Sequence, residues 1–342
     1  MPSRPTARSR AEGPRPCRSA AETLSEVEGS KAEGPALLVP SGAEGSEAEG
    51  WLALPAFAKI NLSLELLGRR ADGYWEIRTV YQSVTLHDRV RLRLRRPAEI
   101  VVRVPGGGAP GGRANLVYRL LARARRALGI RQGIEVELEK NIPAGRGLGG
   151  GSSDAAAALA GWLRLTGEWL PEVELFRLGA AVGADVPFFF LGGRALGVGR
   201  GEEVYPLEDR EPSYCLLLCP PFPIPTGAAY RWAAGLTLPR LPTMIRTSRL
   251  SPEESGGTGN EFERVVFSRF PGLARMKAAL LRAGARQAGL SGSGSTVYAL
   301  FSQRATAERV GARWARAATA FVVETLPRPR YRRALGWGVV QG

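Results

Sequence analysis

A glycine-rich segment that runs directly into an alanine-rich one is the feature that most constrains the fold of this chain. Residues 145–151 hold five glycines, and such a run forms no helix or strand of its own because glycine loses the most backbone entropy on folding. Residues 155–160 read Ala-Ala-Ala-Ala-Leu-Ala, which favours a helix, and Ser152, Ser153 or Asp154 can serve as its N-cap. A turn leading into a helix N-terminus gathers backbone N–H groups and the positive end of the helix dipole. The pattern therefore predicts a phosphate-binding loop.

Spacing excludes two familiar kinds of phosphate loop. The segment lacks the Gly-Lys-Ser/Thr ending of a Walker A loop, and no acidic strand end follows at the distance expected for a dinucleotide-binding Gly-x-Gly-x-x-Gly loop. A plain linker or turn is the alternative, but a linker is unusual between the strand pattern of residues 134–138 and a strong helix. The sequence predicts that the loop binds nucleotide phosphates in another fold.

The loop resembles the ATP-binding loop of the GHMP kinases, the superfamily of galactokinase, homoserine kinase, mevalonate kinase and phosphomevalonate kinase. Its form Gly-Leu-Gly-Gly-Gly-Ser-Ser-Asp-Ala-Ala is most similar to that of the 4-diphosphocytidyl-2-C-methyl-D-erythritol kinases. The resemblance implies that ATP is the phosphoryl donor and that Mg2+ bridges its phosphates, with a hydroxyl of Ser152 or Ser153 reaching the metal directly or through water. The implied ATP-binding residues of the loop are Pro143, Ala144, Gly145, Arg146, Gly147, Leu148, Gly149, Gly150, Gly151, Ser152 and Ser153.

Two residues outside the loop are also implied to bind ATP. Asn115 precedes an amphipathic helix predicted to reach Leu128, which flanks the adenine pocket in the similar kinases, and Lys140 lies directly before the loop. From the residues alone, Asn115 equally fits a helix N-cap and Lys140 a solvated lysine at the end of a strand.

Lysine is scarce in this chain, and one lysine lies in a recognisable segment. Arginine dominates among the basic residues, so a retained lysine suggests a task that needs a compact point charge. Lys59 and Asn61 are two residues apart at the start of a strand pattern and therefore share a face, although an ordinary edge lysine has the same pattern. Residues 56–62 resemble the Ala-x-Ala-Lys-Ile-Asn-Leu opening of the same kinases, which implies that Lys59 is catalytic and that Asn61 binds substrate.

Asp185 lies in the segment Gly-Ala-Asp-Val-Pro, ahead of an aromatic strand predicted at residues 186–190. A cap or turn residue is the structural alternative. The similar kinases carry this segment with the catalytic base at the aspartate, so the resemblance implies that Asp185 accepts the proton of a substrate hydroxyl. Lys59 would keep Asp185 ionised and offset charge on the transferred phosphoryl group.

A pair of tyrosines is implied to bind the base of a cytidine diphosphate substrate. Tyr74 takes the position of the family's cytosine-stacking aromatic, and Tyr230 that of the aromatic on the other face of the base; each fits a core or surface tyrosine as well. Trp75 stands where the family usually has histidine, so a side-chain hydrogen bond to the base is not available, and recognition survives if that contact is made through the backbone. The other implied substrate contacts are Thr226 and, in a second glycine-serine turn that matches the superfamily's third motif, Gly292 and Ser293.

The resemblance covers roughly residues 52–326 and implies an α+β GHMP kinase fold with the active site between two domains. A ribosomal protein S5 domain 2-like domain is expected at residues 51–203 and a ferredoxin-like domain at 204–326, with a turn-rich crossing at 195–204. Residues 1–50 repeat Ala-Glu-Gly and hold few large apolar residues, which predicts a disordered extension. A mobile loop is expected at 236–258 and a loose basic tail at 327–342.

Composition limits the competing functions. The net charge of +15 suits polyanionic ligands, but the arginines are scattered and form no nucleic-acid recognition motif, so no specific nucleic-acid partner is expected. Three cysteines and one histidine offer no metal or disulfide spacing, and no apolar run approaches the ~20 residues that span a bilayer. These features favour a soluble protein of the reducing cytoplasm with no membrane partner, as a monomer or homodimer.

The implied reaction is ATP-dependent phosphorylation of the 2-hydroxyl of 4-diphosphocytidyl-2-C-methyl-D-erythritol, in the non-mevalonate route to isoprenoid precursors. Another GHMP small-molecule kinase, of mevalonate or homoserine type, is the nearest alternative. A non-catalytic relative and a basic nucleic-acid-binding protein on an S5-like fold are the others.

Overall fold

Two β-sheets, each covered by helices, form the described part of the chain. The structure is a computed structural model that describes residues 50–235 and 259–336, so the extension predicted up to residue 50 and the loop predicted at 236–258 lie outside the described residues, apart from Gly50. The expected α+β architecture with two structural units is confirmed. The first sheet extends through Pro206, and the second begins at Tyr214.

The first unit is a six-stranded sheet with the order β3-β4-β2-β5-β6, and β1 pairs with β2. Its elements are β1 Leu52–Arg69, β2 Trp75–Arg95, β3 Ile100–Arg103, α1 Leu116–Leu128, β4 Gly133–Glu139, α2 Gly150–Thr166, α3 Glu172–Ala180, α4 Val186–Leu191, β5 Arg194–Val198 and β6 Glu203–Pro206.

Two long antiparallel strands organise this first sheet. Their register shifts three times, between Phe57 and Ala58, Asn61 and Ser63, and Leu66 and Gly68, as expected for β-bulges, which bend a strand pair. The single 21-residue strand β2 pairs with β4 over Arg89–Arg95 and with β5 over Thr79–Gln82. Just after the first shift, the Lys59 N–H donates a hydrogen bond of 3.0 Å to the Leu148 carbonyl, which ties β1 to the glycine-rich loop.

The alanine-rich helix α2 is buried along most of its length between the sheet and the other helices. Small side chains permit this close packing: a Cβ at Gly161 would lie 2.7 Å from Leu92. The predicted N-cap is wrong, because the helix begins at Gly150 with Gly149 as its N-cap at a left-handed φ of 74°. The start of the helix therefore lies one turn earlier, and Ser153 and Asp154 turn into the protein interior.

The second unit is an antiparallel sheet with the order β10-β7-β9-β8, in agreement with the ferredoxin-like expectation. Its elements are β7 Tyr214–Cys219, α5 Thr226–Ala233, α6 Phe262–Arg269, α7 Pro271–Arg282, β8 Gln287–Leu290, β9 Val297–Phe301, α8 Arg304–Ala312 and β10 Thr319–Glu324, and the last described helix is α9 Arg328–Leu335.

Three local predictions are wrong. Residues 186–191 form the helix α4 rather than an aromatic strand, with Pro187 in its first turn and every side chain buried. The supposed turn-rich crossing at 195–204 is mostly the hairpin β5–β6. The described part of the basic tail is helix α9 rather than loose chain: Tyr331 is buried, contacts the Phe57 ring at 5.5 Å and donates a hydrogen bond of 2.6 Å to the Phe189 carbonyl. This helix buries Tyr331 and Leu335 among its arginines, and the high charge of the segment favours the wrong prediction of a solvated tail.

Candidate active site

One cavity of about 1090 Å3 opens between the two units and gathers nearly all of the predicted site residues. It is lined by Lys59, Asp185, Asn115, Lys140 and the loop from Pro143 to Ser152, and by the expected substrate contacts Asn61, Tyr74, Trp75, Thr226, Tyr230, Gly292 and Ser293. Ser153 is the exception: its side chain is buried in α2, and its Oγ has no hydrogen-bond partner within the described residues. Residues up to 234 positions apart in the sequence thus meet in one place.

The glycine-rich loop takes a shape that non-glycine residues would resist. Gly145, Gly147 and Gly149 have φ values of 68°, 78° and 74°, in the left-handed region. Leu148 anchors the loop in the core, and its carbonyl accepts a hydrogen bond of 3.0 Å from the Lys59 N–H. The hydrogen bond from Ser153 N to Gly149 O, at 3.0 Å, marks the first turn of α2, so the N–H groups at the start of α2 point out of its open end. This end of the helix offers the donors and the positive dipole that a phosphate requires.

The loop also packs against the second glycine-serine turn. The Ser291 Oγ donates a hydrogen bond of 2.9 Å to the Gly147 carbonyl, and the Thr296 N–H donates one of 3.3 Å to the Arg146 carbonyl. A Cβ at Gly147 would lie only 2.0 Å from the Ser291 carbonyl oxygen. The two turns that the sequence predicts as phosphate-binding motifs are therefore one interlocked structure.

Lys59 and Asp185 form an ion pair at the centre of the cavity, with 3.6 Å between Nζ and Oδ2. The Lys59 side chain is only 4% exposed, whereas 34% of the Asp185 side chain remains exposed and can meet a ligand. The Lys59 Nζ also donates to Asn61 Oδ1 at 2.6 Å, and the Asn61 amide donates in turn to Thr79 Oγ1 at 2.8 Å. Burial lowers the pKa of Lys59 below its ordinary 10.5, although Asp185 opposes the shift.

Asp185 has a further partner that the sequence did not suggest. The hydroxyl of Tyr81, a buried residue of β2, donates a hydrogen bond of 3.1 Å to Asp185 Oδ1. Tyr81 is 104 residues away in the sequence and lies in a strand whose pattern predicts only a core position.

Lys140 is not a solvated lysine. Its Nζ donates to Asp88 and to Asp154, two carboxylates that are almost fully buried. Burial acts to lower the pKa of Lys140, but the two carboxylates together raise it above its ordinary value. Burial raises the pKa of Asp154 to about 7, Lys140 opposes that rise and Asp88 adds to it. Asp88 Oδ1 also accepts the N–H groups of Asn141 and Ile142, so this cluster ties β2 to the start of the phosphate loop.

The aromatic residues of the cavity are arranged in two groups. The ring of Tyr230 stacks on Trp75 with 6.4 Å between centroids and an interplanar angle of 23°, and it meets the edge of Phe262. Tyr74 is 57% exposed, and the guanidinium carbon of Arg200 lies 5.0 Å from its ring centre. Trp75, which replaces the expected histidine, therefore packs against one of the two tyrosines predicted to hold the base.

The remaining predicted contacts come from the second unit. Thr226, at the start of α5, lies 3.2 Å from Ser293 through their hydroxyl oxygens. A Cβ at Gly292 would lie 3.3 Å from Asn61 Oδ1 and 3.4 Å from Lys59 Nζ, so this glycine lets the turn approach the ion pair. The amide of Asn260 donates to the Gly292 carbonyl at 2.6 Å and thereby holds the turn. Asn115 is the N-cap of α1, as predicted: its Oδ1 accepts the Val117 N–H at 2.9 Å.

Comparison with known proteins places this arrangement in a family. Profiles described as GHMP kinases N terminal domain and GHMP kinases C terminal match residues 115–193 and 248–320. A curated 4-diphosphocytidyl-2-C-methyl-D-erythritol kinase from Pelotomaculum thermopropionicum is 38% identical over 280 residues, covering 80% of this chain and 98% of the relative. The chain belongs to the 4-diphosphocytidyl-2-C-methyl-D-erythritol kinase family. A second relative with this name, from Moorella thermoacetica, is 39% identical over 270 residues and covers 77% of this chain and 94% of its own.

Solved structures agree with this family. A crystal structure of 4-(cytidine 5'-diphospho)-2C-methyl-D-erythritol kinase aligns with a TM-score of 0.65 at 32% identity, covering 80% of this chain and all of the other. A homoserine kinase from Cytophaga hutchinsonii aligns with a TM-score of 0.61 at 20% identity over 86% of this chain and 99% of its own, which shows the shared GHMP kinase fold alone. In the described ranges, none of the helices combines the length and apolar character needed to cross a bilayer.

Proposed function

We propose that the chain transfers the γ-phosphoryl group of ATP to the 2-hydroxyl of 4-diphosphocytidyl-2-C-methyl-D-erythritol. The observation that carries this proposal is the Lys59–Asp185 ion pair, which lies in the same cavity as the open end of helix α2 and an aromatic group. The open end of α2 suits the phosphates of ATP, the ion pair suits the acceptor hydroxyl, and the aromatic group suits the cytosine of the acceptor. The family relatives carry the name of this activity over nearly their whole length.

The residues of the loop fit the phosphates of ATP. The glycines with left-handed φ carry no side chain that could block access to the backbone, and residues at the start of α2, where the N–H groups have no partner within the helix, line the cavity. A negatively charged phosphate at this end gains from the helix dipole. Asn115 and Lys140 line the cavity beyond the loop, where they would adjoin the nucleoside.

Mg2+ is proposed to bind mainly through the phosphates. Within residues 50–235 and 259–336, no group of three or more His, Cys, Asp or Glu side chains could hold a metal ion. Ser152 lines the cavity and Ser153 does not, so Ser152 is the better candidate for a hydroxyl near the ion. Bound there, Mg2+ would neutralise phosphate charge during transfer.

The Lys59–Asp185 ion pair is proposed to activate the acceptor hydroxyl. Asp185 would accept the proton of the acceptor hydroxyl as its oxygen attacks the γ-phosphorus, while the bond from that phosphorus to the leaving oxygen of ADP breaks. Lys59 pairs with the Asp185 carboxylate and offsets the charge of the transferred group, and the hydrogen bond from Lys59 Nζ to Asn61 holds the ammonium in place. Phosphoryl transfer has a loose transition state, so positioning matters more than the strength of the base.

The aromatic group is proposed to bind the cytosine. Stacking of a base on an aromatic side chain is worth ~1–3 kcal/mol per base, and Tyr74 and Tyr230 both line the cavity. Trp75 stacks against the Tyr230 ring. Its indole cannot replace the hydrogen bond that a histidine would make to the cytosine, so we propose that the protein backbone makes this contact. The cavity is also lined by basic residues that suit a diphosphate, namely Arg69, Arg119, Arg146, Arg200 and Arg231. We therefore propose that the positive charge serves to bind small polyanionic substrates rather than a nucleic acid. We also propose that the protein is a cytoplasmic monomer or homodimer.

The test compares acceptors. ADP release from ATP and Mg2+ is measured with 4-diphosphocytidyl-2-C-methyl-D-erythritol and with its cytidine-free counterpart, 2-C-methyl-D-erythritol 4-phosphate, and with mevalonate and homoserine as further acceptors. Turnover with the cytidylated acceptor alone is the expected result, with a new phosphate monoester at its 2-position by 31P NMR. Turnover with mevalonate or homoserine instead would assign the chain to another reaction of the superfamily.

A further inference from the structure

Each of the two oxygens of the Asp185 carboxylate has its own partner, a hydrogen-bond donor on one and a cation on the other. The Tyr81 hydroxyl bonds to Oδ1 at 3.1 Å, and the Lys59 ammonium lies 3.6 Å from Oδ2. The terminal torsion of an aspartate is broad and roughly two-fold, so one donor would leave the carboxylate free to turn. The hydrogen bond from β2 and the ion pair with β1 together fix the plane of the group.

We propose that Tyr81 is a positioning residue for phosphoryl transfer, because its hydroxyl fixes the orientation of the Asp185 carboxylate toward the acceptor hydroxyl. The inference rests on the proposed function, in which Asp185 is the base. It adds a residue that the sequence motifs do not contain.

Tyr81 is held firmly enough for this role. Its ring lies 4.8 Å from the Phe188 ring, and only 1% of the residue is exposed. Two glycines make room for it: a Cβ at Gly197 would lie 2.5 Å from the ring, and one at Gly201 would lie 2.4 Å from the hydroxyl oxygen. A side chain in such a close-fitting slot loses little further freedom when it bonds to Asp185.

The Tyr81 hydroxyl is well suited to donate a hydrogen bond at every working pH. Burial, with Asp185 beside it, raises the pKa of Tyr81 well above 10, so that the phenol stays protonated across the working range of pH. The Gly201 carbonyl lies 3.4 Å from the same hydroxyl and is a weaker alternative acceptor. The ring also lies beneath Lys59, with 5.5 Å from Nζ to the ring centre, so Tyr81 contacts both members of the ion pair.

A purely structural tyrosine would make a different set of predictions. In that case its hydroxyl would serve only to satisfy the Gly201 carbonyl, and its removal would alter stability without a specific effect on catalysis. Tyr298 offers a matched control: it is equally buried, and its hydroxyl donates to the Leu62 carbonyl at 3.2 Å and accepts a hydrogen bond of 3.0 Å from the Gln287 amide.

The first experiment compares Tyr81→Phe with Tyr298→Phe in the full chain. Loss of a hydrogen bond to a charged group predicts that Tyr81→Phe lowers kcat about 10- to 100-fold, with KM for both substrates within about twofold. In an Asp185→Asn background the same change should have no further effect on kcat. Equal kcat and KM values for the two phenylalanine variants would overturn the proposal.

A second readout needs no turnover and separates this inference from the proposed reaction. The Asp185 carboxyl is followed by 13C NMR in protein labelled at aspartate Cγ, with Asp185→Asn identifying its signal. At a fixed pH, Tyr81→Phe should change the chemical shift of this signal, because the carboxylate loses a hydrogen bond, and Tyr298→Phe should leave it in place. An unchanged signal in Tyr81→Phe contradicts the role of Tyr81 even if wild-type protein turns over, whereas a changed signal without turnover of the cytidylated acceptor contradicts the assigned reaction alone.

Discussion

Adding a single methyl group at Gly147 should separate the two interlocked glycine turns. Gly147 has a φ of 78°, and an alanine Cβ there would lie 2.0 Å from the Ser291 carbonyl oxygen, more than 1 Å inside the ordinary contact distance of 3.4 Å. The backbone atom cannot rotate away, so one turn must move. The left-handed conformation costs about 1–2 kcal/mol in a non-glycine residue, and loss of the two hydrogen bonds between the turns adds about 1 kcal/mol each. We expect Gly147→Ala to lower the free energy of unfolding by about 3 kcal/mol.

The effect on catalysis should be larger than that on stability. A displacement of about 1 Å in a positioning group can cost roughly 100-fold in rate, and the loop carries both the phosphate donors and the Leu148 carbonyl that holds Lys59. The assays are thermal unfolding and steady-state release of ADP, with KM for ATP measured separately from kcat.

Gly167 provides the matched control for this substitution. It ends α2 at a φ of 70°, nearly the same as Gly147, but nothing lies within 4 Å of its added Cβ. Gly167→Ala should therefore show only the backbone penalty of about 1–2 kcal/mol, with normal kinetics. If Gly147→Ala resembled Gly167→Ala in both stability and kcat/KM, the contact between the turns would have no role in catalysis.

Three further predictions follow from the charges and rings of the cavity. Because burial lowers the pKa of Lys59, kcat should fall as pH rises through a value below 10.5, and Lys59→Arg should move this limb to higher pH in whatever activity it retains. Because the folded-state pKa of Asp154 is raised from 3.8 to about 7, the stability that this residue contributes should be lost as pH rises from about 4 to 7, and the melting temperature of Asp154→Asn relative to wild type should increase over that range; a constant difference would contradict the raised pKa. Tyr74→Ala and Tyr230→Ala should each raise KM for the cytidylated acceptor by about 5- to 150-fold and leave KM for ATP unchanged, and an equal loss for both substrates would argue against cytosine stacking.

The parts of the site that the sequence predicts well lie in short local motifs. The phosphate loop, Lys59 and Asp185 each lie in a short segment whose residue types are set by backbone shape or by charge, and all of them except Ser153 line the cavity. Tyr81 and Asn260 escaped notice because their partners are distant in the chain: Tyr81 meets Asp185 and Asn260 meets the second glycine turn only after folding. No local pattern records such contacts.

The errors in secondary structure have similar physical causes. Consecutive phenylalanines have high β-propensity, yet residues 186–191 form a helix because the core can bury all of their side chains in that form. The arginine-rich sequence around Tyr331 suggests a solvated tail, but one buried ring and one hydrogen bond anchor it as a helix. Burial in the tertiary structure outweighed local preference in both places.

The most direct test of the proposed mechanism is the turnover of Asp185→Asn at saturating ATP, Mg2+ and cytidylated acceptor. The amide keeps the shape of the side chain and can still accept the Tyr81 hydrogen bond, but it cannot take a proton from the acceptor. General-base catalysis contributes about 100- to 10,000-fold, so kcat should fall by at least that lower figure while KM for both substrates changes little. A kcat close to that of the wild type would remove Asp185 from the chemistry and with it the central role assigned to the ion pair.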